Sequence, residues 1–302
     1  MKKIDRWKRG LPYTGNKGQK AQQIMDILPD SNRFVDVFGG GGSVSLHAIS
    51  SGKYKNVLYN DRIKSVVELL KALINGDPYI DLTKYVCISR DEFIDWRDNK
   101  PDSIERILIL ICYSFGNDMR SYLWNKVNEE KKIQLTQALF YGNTGTQFDE
   151  LFTESKNVSL ISEKYSVFHK WRKDKLNINS KIDSLQQLEQ LQQLQQLERL
   201  QRLQRLQRLE YSVKDYRQLS IKSTDVVYCD PPYINTSKSY GEFDNDDFDN
   251  WMNGLPTDEI YISEYTVLPN TEIVADLGKK QNFVSTSKSK RKSELLLKYI
   301  HH

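Results

Sequence analysis

Cysteine is scarce in this 302-residue chain: Cys87, Cys112 and Cys229 are odd in number, widely spaced and outside any Cys-x-x-Cys pattern. That argues against both a disulfide framework and a zinc site, and it fits a reducing compartment. Histidine is scarcer still for chemistry. His301 and His302 are set aside as residues of the kind a purification tag leaves, so only His47 and His169 remain. Long apolar runs are also missing. The most apolar stretch, ILILIC at 107–112, falls far short of the roughly 20 residues that a membrane helix requires, and the charged N-terminus runs into Gly-Leu-Pro-Tyr instead of an apolar signal segment. The expectation is a cytoplasmic protein with no membrane partner and no metal.

Charge of one sign is lacking overall: 44 Lys and Arg against 40 Asp and Glu leave a net charge of +4. Its distribution is uneven. Lys2, Lys3, Arg6, Lys8, Arg9, Lys17 and Lys20 face only Asp5 in the first twenty residues, and Lys279, Lys280, Lys288, Lys290, Arg291 and Lys292 form a second cluster. Such clusters permit a polyanionic partner without requiring one.

The most informative stretch that is present reads DVVYCDPPY, residues 225–233. A short β-branched and aromatic run bounded by a proline pair predicts a buried strand whose ladder stops at Cys229. Pro231 and Pro232 donate no N–H and have restricted φ, which makes a stiff, acceptor-rich lip. Asp230 adds a carboxylate at the carboxyl end of a strand, where open α/β sheets place their ligands, and Tyr233 adds a flat ring. Carboxylate, carbonyl and ring together suit a planar base with an exocyclic amine.

RFVDVFGGGGSVSLHAI, residues 33–49, reads as strand, glycine turn and helix, the unit that carries nucleotide-like cofactors. A phosphate-binding P-loop is excluded because no Lys-Ser or Lys-Thr follows the glycines, and a dinucleotide fingerprint is weakened because its third glycine position falls on Val44. A nucleoside without a pyrophosphate remains, and S-adenosylmethionine is the obvious candidate. A second strand at 56–60 ends in Asp61, where such folds hold a ribose diol; capping the following helix is the alternative role. An amphipathic helix over 62–75 follows.

From 76 to 180 the character becomes aromatic, polar and helical, with segments at 104–115, 130–140 and 159–172. SFGNDMRSYLWNK at 114–126 places Asn117, Arg120, Tyr122, Trp124 and Lys126 together, a set able to touch base edges and stack; a loop leading into a core helix explains it equally well. Leucine then recurs at every third position from Leu185 to Leu209. Helix is the strong local expectation, but each three-residue step turns about 300°, so the leucines circle the helix and form neither a heptad seam nor one apolar face. A helical spacer is expected there.

YTGNK (13–17), FVDVFGGGGSV (34–44), KDYR (214–217) and DPPY (230–233), in that order, resemble the motifs of the Dam-type DNA adenine-N6 methyltransferases. The resemblance implies a Rossmann-like α/β methyltransferase domain over 1–75 and 211–302, a mainly helical target-recognition domain inserted over 76–182, and the Leu-repeat spacer over 183–210. It implies that Tyr13, Lys17, Asp36, Phe38, Gly39, Gly41, Asp61 and Asp215 contact S-adenosylmethionine, with Asp61 on the ribose and Asp215 on the adenine amine. Asp230, Pro231, Pro232 and Tyr233 become the catalytic set. Asn117, Arg120, Tyr122 and Lys126 are expected to meet double-stranded DNA, and the oligomeric state is left as monomer or weak dimer. Cytosine-N4 or RNA methylation, and a catalytically silent DNA-binding relative, are the rival readings.

Overall fold

The computed structural model describes residues 6–142, 144–146, 148–176, 188–203, 208–232, 243–279 and 293–302. Tyr233, much of the second basic cluster, and Leu185 and Leu206 of the leucine repeat lie outside the described residues. In chain order the elements are α1 (Ala21–Ile27), β1 (Ser31–Asp36), α2 (Ser43–Ser51), β2 (Tyr54–Asn60), α3 (Lys64–Asn75), α4 (Arg90–Asp98), α5 (Ile104–Tyr113), α6 (Lys126–Phe140), α7 (Glu150–Ser155), α8 (Ile161–Leu176), α9 (Glu189–Gln201), β3 (Leu209–Ser212), β4 (Asp225–Cys229), α10 (Asn245–Asn253), β5 (Ile260–Glu264), β6 (Thr271–Gly278) and β7 (Glu294–Tyr299). Two compact units result: Met1–Asn16 with Glu68–Leu206, and Lys17–Val67 with Gln207–His302.

The second unit carries the sheet. Among the described residues it has seven strands in the order β3-β2-β1-β4-β5-β7-β6. The pairs β3–β2, β2–β1, β1–β4 and β4–β5 are parallel, whereas β7 runs antiparallel to both β5 and β6. All five residues of β4 and of β5 are buried, which is the near-continuous apolar signature of a sheet covered on both faces. The run read as a strand from its β-branched residues is thus a central one. The strand order reverses between β1 and β4, so their carboxyl ends lie side by side at the switch point where open α/β sheets bind ligands.

The first unit is helical in its described elements. Its α4 starts on a capping box in which the Ser89 side chain accepts from the Glu92 N–H and the Glu92 side chain accepts from the Ser89 N–H, satisfying two end donors reciprocally. The leucine repeat corrects an expectation here. Leu188, Leu191, Leu194, Leu197 and Leu200 are all fully buried, and α9 packs against α5, α8 and the 3-10 turns at Arg6–Arg9 and Leu82–Tyr85. The helix is therefore part of a core and not a spacer. The drift that rules out a single stripe is what a helix surrounded on most of its sides requires.

Polar residues of α9 are spent inside the same unit. The Glu198 carboxylate accepts from the backbone N–H groups of Ile161 and Ser162 at 2.8 and 3.1 Å, at the start of α8, where orphan donors and the helix dipole favour an anion. Gln196 and Gln201 donate to the carbonyls of Gly10 and Ile80 at 2.6 and 2.7 Å.

Candidate active site

The site grows from the carboxyl ends of β1 and β4. Their register pairs Asp36 with Tyr228, and the Val37 N–H donates to the Tyr228 carbonyl at 3.0 Å, so Asp230 follows two residues beyond a pair that is still in the ladder. The proline pair then ends the strand, because neither ring can donate onward.

The glycine turn between β1 and α2 is held from beneath. The Gly39 N–H donates to the Asn60 carbonyl at 2.7 Å and the Gly42 N–H to the Gly39 carbonyl at 2.8 Å. The Tyr59 hydroxyl donates to the Gly40 carbonyl at 2.7 Å. Gly40 and Gly42 have φ of 48° and 77°, the left-handed region that glycine enters without steric cost. Gly39 serves a different need: a Cβ there would lie 2.2 Å from a ring carbon of Tyr59. It is a packing glycine that lets the turn rest on β2.

Asp36 is buried, and the Ser45 hydroxyl donates to its carboxylate at 2.6 Å. Burial pushes this carboxyl up to about 7, with Ser45 opposing the rise and the Asp230 charge adding to it. Asp61 spreads its carboxylate over two backbone donors, Ile63 at 2.8 Å and Gly40 at 2.9 Å. Burial nevertheless raises its pKa above the usual carboxylate range. Asp61 therefore ties the glycine turn to the approach of α3, which begins at Lys64. Asp215 caps the short 3-10 turn at Tyr216–Gln218 and pairs with Arg217 at 2.7 Å, which holds its carboxyl below the ordinary value.

Asn60, which the sequence pattern did not single out, joins these parts. Its side-chain amide donates to the carbonyls of Val37 at 3.0 Å and Lys214 at 3.1 Å, and its side-chain oxygen accepts from the Lys214 N–H at 3.1 Å. Phe38 packs beside Tyr216 and Phe248 with ring centroids 5.7 and 5.8 Å apart, and the Tyr216 hydroxyl donates to Asp247 at 2.7 Å. That carboxylate lies in the first turn of α10, whose N-cap is Asp244.

Lys17 is the strongest link between motifs far apart in the chain. Its backbone N–H donates to the Ser43 hydroxyl at 3.2 Å, at the first residue of α2. Its buried ammonium lies 2.7 Å from the Asp230 carboxylate and 3.2 Å from that of Glu294. Burial disfavours this charge, but the two carboxylates outweigh it and hold the Lys17 pKa above its ordinary value.

The other expected residues separate. Tyr13 falls in the first unit. So does the 114–126 loop, where Asn117 donates to the Ile111 carbonyl at 2.7 Å and the Tyr122 hydroxyl to the Ile88 carbonyl at 2.7 Å. Tyr122 also lies under the Arg90 guanidinium, 4.7 Å from ring centroid to charge. Both side chains brace their own unit, whereas Arg120 and Lys126 are exposed.

A parallel sheet with a glycine turn and buried carboxylates at its switch point defines a Rossmann-like α/β protein built to take a nucleoside-like ligand. The chain belongs to the D12 class N6 adenine-specific DNA methyltransferases, whose family pattern matches residues 13–255. It is similar to the modification methylase StsI of Streptococcus sanguinis, 22% identical over 248 residues that cover 82% of this chain and 31% of that protein. The chain thus spans about a third of that relative's length. Among the described residues no group of His, Cys, Asp and Glu is arranged to hold a metal, and no helix is long and apolar enough to cross a membrane.

Proposed function

We propose that this chain methylates N6 of a flipped adenine at specific sites in double-stranded DNA, with S-adenosylmethionine as donor. The observation that carries the reading is the position of Asp230: past the end of a central parallel strand that pairs with β1, the strand leading into the glycine turn, and paired with the buried Lys17.

The residues present fit the donor. It carries a sulfonium, an ammonium and a carboxylate, a net positive charge, and the sheet edge holds Asp36, a carboxylate that burial keeps above the ordinary range. A cation brought beside it relieves that cost. Asp36, Phe38, Gly39, Gly41 and Lys17 would line the donor, with Asp61 on its ribose and Asp215 on its adenine amine; Tyr13 is assigned to it from the motif alone. Bound there, the donor supplies an electrophilic methyl group.

The chain's own part is to prepare the nucleophile. An adenine amine is a poor one because its lone pair is conjugated into the ring. Hydrogen bonds from its two N–H groups to the Asp230 carboxylate and the Pro231 carbonyl localise that pair and aim it, so that alignment and electrostatics supply the catalysis. Pro232 keeps the lip stiff, and the Tyr233 ring is assigned the stacking role from sequence alone. The base must leave the helix at a cost of a few kcal/mol, against which stacking on an aromatic ring returns about 1–3 kcal/mol. We assign target recognition to the helical unit, with Arg120 and Lys126 as its exposed candidates.

Incubation of the protein with unmethylated DNA and methyl-labelled S-adenosylmethionine, beside Asp230→Ala, tests this. Label on adenine N6 that the variant loses is the expected result, and base-resolution sequencing then gives the target. Label on cytosine or RNA, or donor binding without any transfer, overturns it.

A further inference from the structure

Lys17 does not face Asp230 alone. Glu294, the first residue of β7, is almost fully buried, with 3% of its side chain exposed. One of its carboxylate oxygens lies 3.2 Å from the Lys17 ammonium and the other 2.9 Å from that of Lys20. Lys20 also donates to the Gly278 carbonyl at 2.7 Å, on the strand that pairs with β7 opposite Glu294. Two ammonium groups from the chain just before α1 thus alternate with two carboxylates, one from β7 and one from the end of β4. All four belong to the same unit.

The arrangement has a clear electrostatic logic. A buried lysine is tolerated only when its charge is compensated, and breaking such a pair leaves an uncompensated charge in a poorly solvated place. Were Asp230 the sole carboxylate at Lys17, the ammonium would follow Asp230 wherever the side chain turned and would draw its full charge. Glu294 anchors Lys17 from the opposite side. Burial works against ionisation of Glu294, and Lys17 and Lys20 outweigh it, holding its carboxyl below the ordinary value.

We infer that Glu294 is a positioning residue for the reaction: by holding the Lys17 ammonium from its other side, it keeps the Asp230 carboxylate turned toward the incoming amine. The inference rests on the methyltransferase reading above and extends it to a residue outside the four motifs. It makes β7, through its first residue, a support of the reactive lip.

The test uses the full chain with Glu294→Gln, Glu294→Asp and Lys17→Met, alone and with Glu294→Gln added to Lys17→Met. The readouts are kcat at saturating DNA and S-adenosylmethionine, the dissociation constant for S-adenosylmethionine by titration, and the melting temperature. Glu294→Gln is expected to lower kcat about tenfold or more, on the scale of what misplacement of a reacting group costs, while donor affinity changes little. Glu294→Asp recovers part of the loss. In the Lys17→Met background the second substitution adds nothing, because its route to Asp230 is already cut. An unchanged kcat in Glu294→Gln overturns the inference. So does a loss that is equally large in the Lys17→Met background, or one that tracks the melting temperature and is not recovered by Asp. If the unsubstituted protein transfers no methyl group to DNA, the methyltransferase reading fails first, and the two failures are told apart.

Discussion

The ammonium of Lys17 lies 2.7 Å from the carboxylate of Asp230, which joins a residue of the first motif to one that stands 213 positions later (230 minus 17) in the last motif. Lys17→Met keeps the length of the stem and removes the charge. It leaves the half-buried Asp230 and the buried Glu294 with Lys20 as the remaining ammonium of the cluster, so a loss of about 3 kcal/mol in stability is expected, together with a drop in methyl transfer. Chemical denaturation measures the first and labelled transfer the second. A variant as stable and as active as the parent would dissolve the link. The pH window follows from the directions of the shifts. Lys17, raised, contributes stability that is present below 10.5 and lost only as pH climbs through its folded value; Glu294, lowered, contributes above 4.5 and is lost as pH falls. Between those limits the cluster is intact.

Asp36 predicts the opposite slope. Its folded carboxyl is pushed up to about 7 from 3.8, so the folded chain binds this proton more tightly than the unfolded one. Stability therefore declines as pH rises from 3.8 to about 7, by up to about 4 kcal/mol if the whole shift is expressed. In Asp36→Asn the Ser45 hydroxyl keeps an acceptor and the titration is gone. Melting temperatures at pH 5 and pH 8 should converge in the variant relative to the parent. Parallel melting curves for the two proteins at both pH values would contradict the assignment.

Leu194 sits fully buried in the middle of α9. Leu194→Ala is expected to destabilise the protein by about 2–5 kcal/mol, the range for a core leucine. A spacer helix would lose no more than a few tenths. Urea titration separates the two outcomes cleanly.

Gly39→Ala would drive a Cβ to 2.2 Å from the Tyr59 ring and 3.1 Å from the Asn60 carbonyl oxygen. The ring is fastened by its hydroxyl to Gly40 and has no easy way to give. A loss of about 1–3 kcal/mol is expected from such overpacking, along with weakened donor binding because the turn itself must lift. Gly41→Ala, measured beside it, tests whether donor affinity responds to the turn as a whole. If Gly39→Ala melts and binds like the parent, the turn does not rest on β2 as described.

Much of this protein was determined by local chemistry that a linear sequence displays. A β-branched run stopped by two prolines makes β4 and its lip; β1 to α2 forms because glycines alone accept the left-handed turn between them. Asp36, Asp61 and Asp230 are candidates from the sequence because strand ends in such folds are where carboxylates meet ligands, and the structure puts each at or just past the end of its strand. What the tertiary structure decided depends on partners distant in sequence. Glu294 reads as an ordinary charged residue in a six-residue strand until β7 carries it to Lys17. Asn60 is unremarkable until its amide spans Val37 and Lys214. The leucine repeat shows the limit most clearly. Its three-residue period excludes one apolar face, and sequence alone then favours a helical spacer, whereas the folded chain surrounds α9 and buries every described leucine from 188 to 200. Periodicity reports how many sides of a helix are apolar, and only packing decides how many sides are covered.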